Sequence, residues 1–374
     1  MAEELKQNLK TVGWFCTYTP EEIIYAAGLI PYRLLPHKEV GHASVEDALP
    51  PNICPYPRKI LSNLRSGLYD DLQGIVVANS CNAMTHLYNV LKEESDFFVY
   101  LLDVPRRQDQ KACEYFAGEL ELLADFLGEK GNPVNNYSLL QALKLYGEKK
   151  ELIEKALALN GEPRLKEAFP LGLYSLAVEA TSLPPEEFAG KYKDIIEDES
   201  TNSKADNNVK KNNPGKNGAG PNSREALMLA GGLPPRGLIE MLTGYPGLNL
   251  YPENCAGMRY LQKPMPEIAP GKEQSRTEIM EKIARSYLEK PPCPRVFNRN
   301  AREKYCRDLL EELQVDAVIY HDLMFCDMGH YDYLMLQDLL KEKDIPHLKV
   351  KSELGEEDLG QLKTRVEAFL EILE

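Results

Sequence analysis

The stretch Gly74–Met84, GIVVANSCNAM, decides how this chain is read. Ile75, Val76, Val77 and Ala78 form an apolar run without alternation, the pattern of a strand buried on both faces. The run stops at Asn79 and Ser80, and a cysteine stands at the strand's carboxyl end. A helical pattern, AMTHLYNVLKE, follows at once, and then a second apolar run, FFVYLLDVP. Strand, helix, strand in that order requires a crossover and a parallel sheet covered on both faces. The same rhythm continues upstream. GWFCTYT is β-rich, and TPEEIIYAAG reads as a helix with Thr19 as N-cap, Pro20 at N1 and Gly28 at its end. LIPYRLL is a short strand, and YPRKILSNLRSG a helix ended by Gly67.

Residues 1–107 are therefore expected to form a first α/β domain. From 108 to 196 the period becomes helical, as in CEYFAGELELLADFLGE and LLQALKLYGEKKELIEKALAL. Residues 197–224 carry almost no large apolar side chain and cannot offset the entropy of ordering, so a disordered linker is expected there. Residues 225–374 resume the alternation with ALMLAGG, PPRGLIEML, LNLYPENC, DAVIYHDLMFC, YDYLMLQDLLKEK, HLKVKSE and LKTRVEAFLEIL. The expected fold class is α/β, two parallel-sheet domains with a helical insert between them. The halves echo each other: DLQGIVVANSCNAM and QVDAVIYHDLMFCDM both read strand, cysteine, helix, and NICPYPR and PPCPRVF both place Cys-Pro before a basic residue.

Composition narrows the function. The 374 residues are 43% hydrophobic and 27% charged, ordinary for a globular protein of two or three domains. The formal charge of −14 argues against a nucleic-acid partner, because phosphate neutralisation needs a basic face. The opening MAEELKQNLK is polar, and no apolar run suggests a membrane span, so a cytoplasmic protein is expected.

Eight cysteines, at 16, 54, 81, 113, 255, 293, 306 and 326, need an account. In a reducing compartment they are not a disulfide framework. There is no CxxC, which removes zinc ribbons, thioredoxin motifs and ferredoxin-type runs. Each also has a plain reading as a small buried hydrophobe. Cys81, Cys255 and Cys326 fall at strand ends, the side on which open parallel sheets bind ligands. A catalytic thiol would want an imidazole, and His86 and His330 are each one helical turn beyond such a cysteine. Structural zinc prefers closely spaced pairs. An iron–sulfur cluster accepts thiolates far apart in sequence, and it fits this spacing best. Pro55 and Pro294 either stiffen the preceding thiol or simply start helices.

At this point VGWFCTYTPEEIIYAAGLIPYRLL, ENCAGMRY, PPCPR, VDAVIYHDLMFCD and LKEKDIPHLKVKSE can be taken together. They resemble, in order, the motifs of the 2-hydroxyacyl-CoA dehydratase D-component proteins, which include benzoyl-CoA reductase subunits. The resemblance implies two Rossmann-like domains and a [4Fe–4S] cluster held by the cysteines matching Cys54, Cys81 and Cys326. It implies a coenzyme A thioester substrate, a related subunit or a second copy as partner, and an ATP-hydrolysing iron–sulfur activator. One low-potential electron on the thioester carbonyl gives a ketyl radical anion. The ketyl expels the α-hydroxyl and acidifies the β-hydrogen. Three cysteine ligands leave one iron open as a Lewis acid.

Related double-cubane cluster proteins, reductases of small molecules, supply a second reading, in which Cys255, Cys293 and Cys113 would be a further ligand set. A cluster-bearing electron-transfer subunit without a substrate pocket is a third. Arg33, Arg58, Arg106 and Arg107 stand near element ends, either as contacts for coenzyme A phosphates or as solvated surface residues. Cys16 and Cys306 read as packing residues. His321 and Asp322 read as either support for Cys326 or a pair satisfied by the backbone.

Overall fold

The computed structural model describes residues 10–36, 43–206, 225–268, 274–355 and 359–373. Strands β1 (Thr11–Trp14), β2 (Ile30–Arg33), β3 (Leu72–Ala78) and β4 (Phe98–Leu102) form a parallel sheet in the order β2-β1-β3-β4. Strands β5 (Glu225–Gly231), β6 (Leu248–Glu253), β7 (Ala317–Leu323) and β8 (His347–Ser352) form a second, in the order β6-β5-β7-β8. The fold is thus α/β, with two Rossmann-like sheets wound alike. The winding reverses between β1 and β3 and between β5 and β7, and crevices for ligands open at the carboxyl ends of strands beside such points. β7 is buried along its whole length, as a strand covered on both faces must be. Gly74 is required where β3 meets β4, because a Cβ there would lie 2.3 Å from the Phe98 ring.

Helices α1 (Glu21–Ala26), α2 (Pro55–Arg65) and α3 (Asn82–Glu94) connect the first sheet. A helical stretch follows: α4 (Gln110–Lys130), α5 (Asn136–Ala158), α6 (Pro163–Ala168), α7 (Leu173–Ser182) and α8 (Pro185–Asp206). Around the second sheet lie α9 (Arg236–Gly244), α10 (Met258–Leu261), α11 (Arg276–Glu289), α12 (Arg299–Glu312), α13 (Asp327–Glu342) and α14 (Leu359–Leu373). Reciprocal capping pairs, Asn135 with Ser138 and Ser275 with Glu278, fix the starts of α5 and α11.

One core joins the halves. Trp14 and Val76 of the first sheet, Phe116 and Leu120 of α4, Ile279 and Ile283 of α11, and Met228 and Tyr320 of the second sheet share it. A buried polar contact crosses the same boundary: Lys263 Nζ lies 2.5 Å from Glu22 Oε1, and the Tyr287 hydroxyl donates to Glu22 Oε2 at 2.6 Å.

Local expectations need adjustment. β1 stops at Trp14, and the Thr19 N–H donates to the Cys16 carbonyl, so Cys16 lies in a turn beyond the strand. Pro20, not Thr19, occupies the N-cap of α1. β6 and β7 end before Cys255 and Cys326. α8, anchored by buried Phe188, Tyr192 and Ile196, carries helix to Asp206, into the stretch expected to be linker. Residues 207–224 of that stretch lie outside the described residues.

Candidate functional site

Three cysteines occupy one kind of place. Cys54, Cys81 and Cys326 are the N-cap residues of α2, α3 and α13. There the helix dipole and the first-turn N–H groups favour a negative sulfur. The N–H of Tyr56 acts so on Cys54, those of Met84 and Ala83 on Cys81, and that of Gly329 on Cys326. Pro55 does start its helix, at N1, whereas Pro294 starts none. Phe325 takes a left-handed φ of 58°, a strained conformation for an aromatic residue, and so turns the chain from β7 to Cys326.

Cys54 and Cys326 come from opposite halves, yet their thiols are close enough to couple in their ionisation, and Cys81 is within electrostatic reach of both. The neighbouring Cys54 thiol pulls Cys326 down to about 7 against the opposing effect of burial. The nearness of Cys326, followed by burial, pushes Cys54 up, because the pair ionises in two coupled steps. Burial pushes Cys81 up to about 11.

The turn that carries Cys81 is latched from several sides. Thr85 Oγ1 donates to Asn79 Oδ1 at 3.0 Å, and Asn79 Nδ2 donates to Asp103 Oδ1 at 3.1 Å. Arg295, which is buried, donates to the carbonyls of Val104 (2.7 Å), Pro105 (3.0 Å), Ser80 (3.2 Å) and Asn79 (3.3 Å). A residue two past Cys293 thus grips the ends of β3 and β4. The only sequence hint of it is the basic residue after Cys-Pro.

A second group of sulfurs lies alongside. Cys255 feels Cys293 and Cys16, and the same three act on Lys290. Lys290 is fully buried, donates from Nζ to Thr17 Oγ1 at 2.9 Å, and stands 4.0 Å from the centre of the Tyr18 ring. Burial pushes this ammonium down to about 8, while Cys293, Cys16 and Cys255 hold it up. Buried Arg33 donates to the Cys255 carbonyl at 2.7 Å and stacks 5.1 Å from the Trp14 ring, which takes it out of contention as a surface phosphate contact. Arg259, the other cation acting on Cys255, is fixed by Glu253 at 2.7 and 2.8 Å. Arg302 shares Glu253 and binds Asp332 at 2.9 Å. Burial alone would raise Glu253, but Arg259 and Arg302 override it and hold the carboxyl at about 2.

Cys113 is not in this group. It lies on α4, its sulfur 3.5 Å from the Glu281 carbonyl oxygen of α11. Cys16, expected only to pack, stands in its place and also acts on Cys81, so the two groups adjoin. Cys306 is buried on α12, its thiol pushed up to about 12 by burial.

Among the described residues no three His, Cys, Asp or Glu side chains close on a point that could hold a metal ion. The donors gathered here are sulfurs alone, the chemistry of an iron–sulfur core rather than of a hard cation. A core of several atoms also spreads its ligands more widely than one ion does.

The imidazoles play lesser parts. His86 is exposed on α3. His330 is exposed too, with Nδ1 3.1 Å from Asp322 Oδ1, while Lys349 Nζ lies 2.9 Å from Asp322 Oδ2. His321 is buried with Nε2 2.9 Å from Ser352 Oγ, and burial pushes it down to about 4. Arg106 stacks 5.5 Å from the Phe297 ring, and Arg107 pairs with Asp109.

The sequence profile of the family described as "2-hydroxyglutaryl-CoA dehydratase, D-component" matches residues 16–373. The chain is 23% identical to the (R)-2-hydroxyglutaryl-CoA dehydratase subunit beta of Acidaminococcus fermentans, over 100% of this chain and 95% of the relative. It is 22% identical to the (R)-phenyllactyl-CoA dehydratase beta subunit of Clostridium sporogenes, over 97% and 92%. It is 25% identical to a benzoyl-CoA reductase subunit of Thauera aromatica, over 52% and 51%.

Proposed function

The chain belongs to the 2-hydroxyglutaryl-CoA dehydratase D-component family, and from that premise we propose that it is a cytoplasmic iron–sulfur subunit of a dehydratase-type enzyme acting on a coenzyme A thioester. The meeting of Cys54, Cys81 and Cys326 at three helix N-termini carries the reading. These residues would hold a [4Fe–4S] cluster, which when bound supplies a low-potential electron and an open iron position to the thioester. The chain's own work is positioning and charge. Helix N-termini favour the thiolates, and Arg295 fixes the Cys81 turn. Two relatives matched over nearly their whole length are named beta subunits, which supports a sibling subunit as partner. An ATP-hydrolysing activator would deliver the electron. Among the described residues no helix is long and apolar enough to cross a membrane.

A second reading, a double-cubane reductase of small molecules, is favoured by the adjoining group around Lys290. Its further ligand set would be Cys255, Cys293 and Cys16, with Cys113 left out. Iron and sulfide analysis of anaerobically purified protein separates the two, at about four iron atoms per chain against about eight. Binding of an acyl-CoA thioester supports the first; neither iron nor thioester binding would remove both.

A further inference from the structure

We infer that the cleft beside Cys54 and Cys326 is a receptor for an oxyanion, a carboxylate or phosphate carried by the ligand, with Arg58 as its main contact. The proposal rests on the thioester reading for the ligand's identity, and on the geometry for the rest. A cavity of about 470 Å³ lies between the halves, lined by Glu46, Pro55, Arg58 and Lys59 from one and by Met324 and Glu353 from the other. Pro55 follows Cys54 and Met324 lies two residues before Cys326, so the cavity adjoins that thiol pair.

Among the described residues Arg58 has only distant partners there. Its side chain is 18% exposed, and its Nε is buried with no hydrogen-bond partner among the described residues. Glu46 Oε1 at 3.9 Å and Glu353 Oε2 at 4.0 Å are too distant for hydrogen bonds. Both carboxylates are far more exposed, 67% and 41%, and pairs of that kind contribute little. A buried guanidinium nitrogen without a hydrogen bond is costly, and the planar fork suits a bidentate oxyanion. An incoming oxyanion would replace the distant Glu46 contact and meet Lys59 on the same helix. The volume is that of a small-ligand pocket, with room for a short acidic acyl chain or one phosphate-bearing end of coenzyme A.

The test is calorimetric titration of the full chain, purified anaerobically, with glutarate, free coenzyme A and inorganic phosphate, with iron content measured on the same samples. At least one probe should bind, and Arg58→Gln should weaken it by about tenfold or more. Glu46→Gln, which removes an exposed competing carboxylate, should tighten it about twofold. Preference for glutarate assigns the site to an acyl carboxylate; preference for coenzyme A or phosphate assigns it to the coenzyme. Failure of all three probes to bind, or equal affinity in wild type and Arg58→Gln, overturns the proposal. If Arg58→Gln does not fold, an unchanged affinity in Glu46→Gln overturns it instead. Iron content keeps the two readings distinct. Colourless protein that binds through Arg58 keeps this site and loses the cluster, and brown protein indifferent to Arg58 does the reverse.

Discussion

Cys54, Cys81 and Cys326 are placed against the heads of three helices, whereas Cys255, Cys293 and Cys16 are placed against buried cations. In the first group the favourable field comes from backbone N–H groups, whose partial charge is permanent and fixed by the fold. In the second it comes from Lys290, Arg33 and Arg259, of which Lys290 can lose its charge. A buried ammonium is costly without an anion beside it. Burial nevertheless pushes the Cys255 thiol up, against the pull of Arg33 and Arg259.

The comparison breaks most visibly through colour. Cys54→Ser, Cys81→Ser or Cys326→Ser should abolish the brown absorbance of anaerobically purified protein, while Cys113→Ser keeps it. Colour retained in all four removes the ligand assignment. Next in size, Cys255→Ser, Cys293→Ser or Cys16→Ser should halve the iron, from about eight to about four atoms per chain, if both groups hold clusters. A wild type with about four, unmoved by these changes, would leave the second group a charged packing site.

Acid should separate the two supports in order. His321 in β7 has a folded value of about 4 against an ordinary 6.5, so the unfolded chain takes up the proton first as pH falls through that window. Stability then drops by about 3 kcal/mol between pH 6.5 and 4. Glu253, held at about 2 beside the second group, loses its contribution only between 4.5 and 2. Urea unfolding across pH should show that His321→Asn flattens the upper window and leaves the lower one. A slope unchanged in that variant would mean that His321 takes up its proton as readily in the fold as in the unfolded chain. The smallest effect is that of Lys290→Met. In metal-free reduced protein it should stabilise by about 1 kcal/mol at pH 7. The gain should fade as pH rises from 8 towards 10.5, where the unfolded lysine also loses its charge. Destabilisation at pH 7 would show that thiolates already pair with the ammonium.

The apolar runs around Val76 and Ile319 make two parallel sheets legible, because a strand buried on both faces must be apolar throughout. The strand-then-cysteine pattern points to Cys81 and Cys326 for the same local reason: a chain leaving a sheet passes its carboxyl edge. Cys16 packs against the core as its sequence suggests, but β1 stops sooner than its β-rich sequence suggests and leaves the cysteine in a turn. Cys113 looks available only until its neighbours across α11 are known.

What the sequence determined by itself is periodicity: which segments are strands, which are helices, and which cysteines stand at their ends. What only the tertiary structure decided is who meets whom. Arg295 reaching four carbonyls, Lys290 among three sulfurs and Cys54 coupled to Cys326 are juxtapositions of residues remote in the chain. Local pattern records the face each segment buries, but long-range pairing follows from how two sheets and their shared core pack together.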